Sequence, residues 1–252
     1  MPSHHALLAI SPIDGRYHSQ LHTLGTYFSE FALIRYRVHV EVEYFIALSQ
    51  VGLFTLKPNA IKALRQIVAT FDVDDAAAVK AIEKTTNHDV KAVEYFLKEK
   101  LTQLKLGAVQ EWIHFGLTSQ DINNTAIPLL WKDAIQQEYI PSLKAILAQW
   151  KLMAKEWARI PMLARTHGQA ASPTMLGKEI AVFAERLENQ LSLWQHIPFA
   201  AKFGGATGNF NAHYVAFPKT DWKKMANAFV NKKLSLKRMQ FTTQIEHYDS
   251  LA

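Results

Sequence analysis

Four short stretches of the chain gather polar side chains where a loop meets a helix, and each could bind an anion or move a proton. The first is Ser11-Pro12-Ile13-Asp14-Gly15-Arg16-Tyr17. Asp-Gly makes a turn, Arg16 can grip a carboxylate or phosphate with two donors, and Tyr17 can stack or donate. The second, Thr85-Thr86-Asn87-His88-Asp89-Val90-Lys91, ends one helix and opens the next. A helix N-terminus offers free N–H groups and the positive end of the helix dipole. The third runs from His114 through Thr118, Ser119 and Asp121 to Asn124. Its hydroxyls and amides suit a carboxylate or phosphate oxygen, although Ser119 or Asp121 could also simply cap the helix. The fourth is Arg165-Thr166-His167-Gly168-Gln169-Ala170, in a loop between two long helices. There Gly168 permits close backbone approach, and His167 can act as an acid or base near neutral pH. Taken one at a time, the first, second and fourth are more simply a surface ion pair, a cap and an exposed loop, whereas a cap explains one polar residue of the third and not the seven among its eleven from His114 to Asn124.

Other chemistries are missing. The glycines from Gly204 to Gly208 lack the Gly-Lys-Ser/Thr ending of a phosphate-binding loop, and His-Glu-x-x-His does not occur. No Gly-x-Ser-x-Gly nucleophile turn is present. His18 and His22 stand four apart without a third ligand nearby, so no metal is expected. The absence of cysteine excludes disulfides, thiolate metal sites and thiol nucleophiles.

The elements that would carry these stretches are helical. Leu24, Phe28, Phe31, Ile34, Val38, Val42, Phe45 and Leu48 recur at three and four, predicting one long helix ending near Gly52. Lys57-Pro58-Asn59 starts a shorter one, and Asp72 to Asp75 caps an Ala-rich one. Val90, Val93, Leu97 and Leu101 mark a further helix with Asn87 or Asp89 as its N-cap. Beyond Asp121 the helices lengthen. One stripe runs through Leu130, Ala134, Leu143, Leu147, Trp150, Ala154 and Trp157, with a kink expected at Pro141. A second runs through Leu176, Ile180, Phe183, Leu187, Leu191 and Trp194. From Lys202 to Pro218 the period vanishes and Gly204, Gly205, Gly208, Asn209 and Asn211 signal a loop or hairpin. The reading is all-α, with a boundary near 107–112: an N-terminal helical domain over 1–110 and the first long helices of a bundle over 111–252. Two long apolar stripes cannot bury themselves well alone, so the bundle reads as incomplete.

Composition agrees. Of 252 residues, 49% are hydrophobic and 20% charged, which excludes disorder as the main state. No apolar run reaches the roughly 20 residues that span a bilayer. Met1 to Ile10 lacks the pattern of a secretory signal, so the Asn123-Asn124-Thr125 sequon carries no weight and the expected compartment is the cytoplasm. The net charge of +6 is dispersed, with Lys223-Lys224, Lys232-Lys233 and Lys237-Arg238 the nearest thing to clusters. A small anionic substrate accounts for it as well as nucleic acid does.

Taken in order, the four stretches resemble the adenylosuccinate lyase family of the fumarase/aspartase superfamily, bacterial long-chain type. Thr242-Thr243-Gln244-Ile245-Glu246 looks like a fifth motif. Thr118-Ser-Gln-Asp121 and Thr166-His-Gly-Gln169 are shared across the superfamily, whereas the first two stretches narrow the choice. The resemblance covers essentially the whole chain. It implies β-elimination of fumarate from adenylosuccinate, giving AMP, and from the succinyl-carboxamide ribotide SAICAR, giving AICAR, without a cofactor. His167 takes the place of the general acid. Arg16 and Tyr17 match nucleotide-binding positions. Asn87, His88, Asp89, Thr118, Ser119 and Gln244 match substrate contacts. The family forms homotetramers with shared active sites, so further copies of the chain are the expected protein partners, with no nucleic acid and no membrane. The family's general base is a Ser on a Gly-Ser-Ser-x-x-Met-Pro-x-Lys-x-Asn loop, and this sequence does not contain it. The tail His247-Tyr248-Asp249 also departs from the usual His-Asp spacing. The expectation is a truncated chain, inactive alone, that supplies the acid and binding motifs. Another lyase of the superfamily, or a catalytically inactive helical scaffold, remains the alternative.

Overall fold

The computed structural model describes residues 8–252. The reading of Met1 to Ile10 therefore falls largely outside the described residues. The described residues form two compact units, 8–132 with 199–252, and 133–198. The all-α expectation holds: the described residues are mostly helical, with four short strands.

The first unit is organised around one helix. α1 spans His18–Phe28 and α2 spans Glu30–Gln50. The sequence predicts these as one helix, but Ser29 is extended at φ −84° and ψ 166°. Its hydroxyl accepts from the Ala32 N–H, so a new helix starts there. α2 is apolar on two faces. Tyr36, Val40, Tyr44 and Leu48, four apart, enter one core cluster with Ile122, Phe203, Trp222 and Phe229. Ile34, Val38, Val42, Phe45 and Ile46 enter another with Leu64, Val79, Phe96 and Leu97. The periodicity of the sequence showed the second face and, of the first, Leu48 alone. α3 (Pro58–Ala69) starts with proline in its first turn, and α4 (Val73–Thr86) is capped by Asp72, as expected. α5 spans Asp89–Gln103.

A 3₁₀ turn, Gly107–Trp112, leads to α6, Ser119–Ala134, which contains Pro128. Proline has no N–H, so the carbonyl four residues back loses its helical partner. That carbonyl belongs to Asn124, and it accepts from the Lys202 N–H at 3.3 Å. The expected loop after Lys202 proves partly ordered. Short helices α9 (Asn211–Ala216) and α10 (Trp222–Asn227) follow it, and β3 (Ala200–Ala201) pairs in parallel with β4 (Lys237–Arg238).

In the second unit, a π turn at Ile135–Tyr139 precedes α7, Ile140–Glu156. The irregularity comes just before Pro141, where the kink was expected, and a wider turn absorbs the missing donor. α7 runs antiparallel to α8 (Leu176–Trp194), with Tyr139 against Trp194 at 5.2 Å and Trp150 against Phe183 at 6.4 Å. Between them lies an antiparallel hairpin of β1 (Pro161–Thr166) and β2 (Gln169–Met175), where the sequence indicated only a loop. Both faces of its strands are largely exposed, so no period-two apolar signal exists to betray them.

Leu97 is 1% exposed inside its cluster and Phe241 is 96% exposed. Leu97→Ala should lower the unfolding free energy by about 2–5 kcal/mol, and Phe241→Ala by less than about 0.5 kcal/mol, in urea titrations.

Candidate functional site

The second and third stretches meet. Asn87 ends α4 in the left-handed region at φ 51°, its N–H on the Glu83 carbonyl at 2.8 Å. The N-cap of α5 is His88, where Asn87 or Asp89 was expected. Its Nδ1 accepts from the Lys91 N–H at 3.2 Å. A nitrogen that accepts carries no proton, so the neutral ring holds its proton on Nε2. That atom lies 3.2 Å from the Ser119 Oγ. With His88 donating to Oγ, the serine's own proton is left to point at a ligand. Two helix N-termini, of α5 and α6, are thereby joined through one imidazole–hydroxyl contact.

Arg37 on α2 fixes the other side of this junction. Its guanidinium donates to Asp89 Oδ2 at 2.6 Å and to Asn123 Oδ1 at 2.9 Å. Burial alone would raise the Asp89 pKa, but Arg37 and the Val90 N–H outweigh it and the net shift is downward. Asp89 is therefore an anion held by Arg37. Nothing in the sequence singled out Arg37, because an arginine within a helix gives no local sign of partners 52 and 86 residues away.

Thr118 and Ser119 are shaped from beneath by Asp121. Its fully buried carboxylate accepts from the Thr118 N–H at 2.9 Å and from the Gly204 N–H at 2.8 Å. It also takes the Gly205 N–H at 3.0 Å and pairs with Lys202 Nζ at 2.7 Å. The Thr118 amide is thus occupied, and a ligand would meet hydroxyls at this turn.

The loop before Thr118 is clamped on both sides. His114, at φ 59°, places Nδ1 2.5 Å from the buried Glu41 and Nε2 3.8 Å from Glu94. Burial would lower the His114 pKa, yet Glu41 and then Glu94 reverse this and the net shift is upward. Tyr44 donates its hydroxyl proton to the Phe115 carbonyl at 2.8 Å and sits 2.9 Å from His213 Nε2. The His213 ring is fully buried with Nδ1 unpartnered, and burial pushes its pKa down to about 4. Gly116, at φ +70°, lies against that ring: a Cβ there would stand 2.7 Å from the imidazole. None of Glu41, Tyr44, Lys202 or His213 was legible as a site residue, since each acts through partners remote in sequence.

The remaining predicted residues are not drawn into this network. Arg16 and Tyr17 lie in the turn ahead of α1, with the guanidinium 5.6 Å above the tyrosine ring. Gln244 is exposed in the segment after β4. His167 belongs to the second unit, exposed at the tip of the β1–β2 hairpin. His167 and Gly168 have φ of 51° and 74°, the signature of a two-residue type I′ turn. Among the described residues, no group of three or more His, Cys, Asp or Glu could hold a metal. No described helix is long and apolar enough to cross a membrane.

Residues 15–252 match the protein family described as Lyase. The adenylosuccinate lyase of Dictyostelium discoideum is 58% identical over 259 residues, covering 98% of this chain and 55% of the relative. That of Escherichia coli K12 is 43% identical over 254 residues, with the same shares. The chain thus spans about half the length of the curated relatives it matches. A fumarate lyase structure from Mesorhizobium sp. BNC1 superposes with a TM-score of 0.69 at 19% identity, covering 88% of this chain and 49% of that one. The β-carboxy-cis,cis-muconate cycloisomerase of Acinetobacter calcoaceticus gives 0.66 at 22% identity, over 98% and 53%. At such identities the likeness speaks to fold.

The two histidines give opposite pH dependences. The folded pKa of His213 lies below its ordinary value of about 6.5, so the unfolded chain binds more protons between pH 6.5 and 4. Its contribution is complete above pH 6.5 and is lost as the pH falls toward 4, on the order of 3 kcal/mol in all. His114, with a raised pKa, contributes below pH 6.5 and loses that contribution as the pH rises. His213→Gln should therefore flatten the pH 4–6.5 limb of the stability curve and leave the alkaline limb unchanged. An unaltered acid limb would show that His213 is not buried as a neutral ring.

Proposed function

Because the chain belongs to the lyase family, we propose that it is a portion of an adenylosuccinate lyase, acting on adenylosuccinate and SAICAR. The observation that carries this reading is the His88–Ser119 junction of two helix N-termini, beside Thr118 and the Arg37-held Asp89. Such an arrangement suits a ligand bearing carboxylates and phosphate. Of its residues, His88, Asp89, Thr118 and Ser119 are those that the resemblance assigns to the substrate, in a chain 58% identical to a curated adenylosuccinate lyase.

In the reaction, a base takes a proton from the carbon beside a carboxylate, and the electron pair is held as an aci-carboxylate. The carbon–nitrogen bond then breaks and fumarate leaves. His167 gives a proton to the departing nitrogen, producing AMP or AICAR. Proton transfers carry the whole reaction, so no cofactor is called for. Thr118, Ser119 and Gln244 bind the succinyl carboxylates and neighbouring groups. Asn87, His88 and Asp89 bind substrate at the second segment, and Arg16 and Tyr17 bind the nucleotide. The base comes from a Ser loop that this sequence does not contain.

In this reading residues 1–110 correspond to the N-terminal helical domain and 111–252 to the opening of the central bundle, although residues 111–132 and 199–252 share a compact unit with the N-terminal helices. Ile146, Leu152, Phe183 and Leu193 on α7 and α8 are between 45% and 66% exposed, which supports a homotetramer in which such helices pack together. The lack of cysteine and the small anionic substrate fit a cytoplasmic enzyme.

Fumarate release, followed by absorbance, tests the reading. The 252-residue chain alone should show no turnover. The same chain continued with the C-terminal part of the Dictyostelium relative should turn over adenylosuccinate, and His167→Ala in it should lower kcat by about 10²–10⁴-fold. Turnover by the chain alone at the rate of the completed one would contradict the missing base. Full retention in His167→Ala would remove His167 from the mechanism.

A further inference from the structure

The buried carboxylate of Asp121 is not among the residues that touch substrate in the reading above, yet it accepts more hydrogen bonds than any residue of the site. Oδ2 takes the Thr118 N–H at 2.9 Å, which draws the Thr118–Ser119 turn inward. Oδ1 takes the Gly204 N–H at 2.8 Å and the Lys202 ammonium at 2.7 Å, and the Gly205 N–H reaches both oxygens. Lys202 also donates to the Gly205 carbonyl. Asp121 and Lys202 are both fully buried, so each charge depends on the other. Removing one partner of such a pair leaves an uncompensated charge in a dry interior.

The same loop continues to a second binding segment. Phe210 N–H donates to the Gly204 carbonyl at 2.7 Å, closing the loop on itself. Gly208, at φ +81°, lies against residues 242 and 243. A Cβ there would sit 2.7 Å from the Thr242 carbonyl and 3.1 Å from that of Thr243. Only glycine permits both this φ and this approach. Three residues beyond Thr243, the Glu246 N–H donates to Asn124 of α6 at 3.0 Å, and Asn124 in turn donates to the Tyr248 hydroxyl. The segment bearing Gln244 is therefore flanked by contacts to the Gly204–Gly208 loop and to α6, the helix that carries Asp121.

We propose that Asp121 and the Gly204–Gly208 loop form a positioning device that fixes the Thr118–Ser119 turn and the Thr242–Gln244 segment relative to each other, so that both grip one substrate. Asp121 and Gly208 are positioning residues, and neither touches the ligand. The inference rests on the assignment of Thr118, Ser119 and Gln244 to substrate.

Two variants test it from opposite ends. Asp121→Asn keeps the shape but sets an NH₂ group against N–H donors. Gly208→Ala forces residues 242–243 to move and leaves every Asp121 bond chemically intact. In amide ¹H–¹⁵N spectra of the 252-residue chain, Asp121→Asn should shift the resonances of Thr242, Thr243 and Gln244. Gly208→Ala should shift those of Thr118 and Ser119. The helix α4 amides should stay in place in both. If Asp121→Asn unfolds, Gly208→Ala decides alone. In the completed chain described above, either variant should raise KM about tenfold or more with kcat reduced less, because ground-state binding of the succinyl group is loosened. A merely structural role would lower the active fraction, and hence kcat, at unchanged KM. Unshifted resonances at the far segment, or unchanged KM, would overturn the proposal. A wild-type completed chain without lyase activity would instead overturn the functional reading, and the spectra would still judge the coupling.

Discussion

A carboxylate with no exposure must find its partners inside the protein, and in this chain Asp121 finds them in three separate places. It ties its own helix start at Thr118, the glycine loop at Gly204 and Gly205, and the ammonium of Lys202. None of these can move without stranding a charge. Burial presses the Lys202 pKa downward, and Asp121 opposes that pressure. The pair is thus a constraint on geometry more than a source of stability, since buried ion pairs often do no better than apolar replacements.

The rest of the first unit is arranged to make that interior. Pro128 leaves the Asn124 carbonyl free, and Lys202 enters the core through it. α2, apolar on two sides, separates two core clusters and also carries Arg37, Glu41 and Tyr44 to the site's underside. Arg37 orders Asp89 and Asn123, Glu41 holds His114, and Tyr44 joins the Phe115 carbonyl to His213. A turn held by these contacts has its backbone fixed before any ligand arrives. Preorganisation of this kind lets a binding turn meet an anion without first reordering itself.

Much of this was legible in the sequence, and the illegible part has a physical cause. Helix positions followed from apolar spacing, and the all-α class with them. The polar stretches stood out because several acceptors and donors crowd a helix start, where capping needs only one. Ser29 could have been read as a break, since its type and its place before Glu30 fit an N-cap. The hairpin around His167 left only the His-Gly turn as a signal, because its strands bury neither face. Arg37, Asp121, Lys202 and His213 differ in kind. Key partners lie far along the chain, 83 residues away for Asp121 with Gly204 and 169 for His213 with Tyr44. Burial of a charge in a single sequence looks like any surface charge until the partner is placed beside it.

Because Asp121 occupies the Thr118 amide, hydroxyls are what the Thr118–Ser119 turn has left for the carboxylates of the proposed substrate. A crystal structure with a dicarboxylate bound tests it most directly. A carboxylate oxygen should lie on the Ser119 and Thr118 hydroxyls, with the Thr118 N–H still on Asp121 and His88 Nε2 still on Ser119. A carboxylate taken up by the Thr118 N–H, with Asp121 released from the turn, would contradict it.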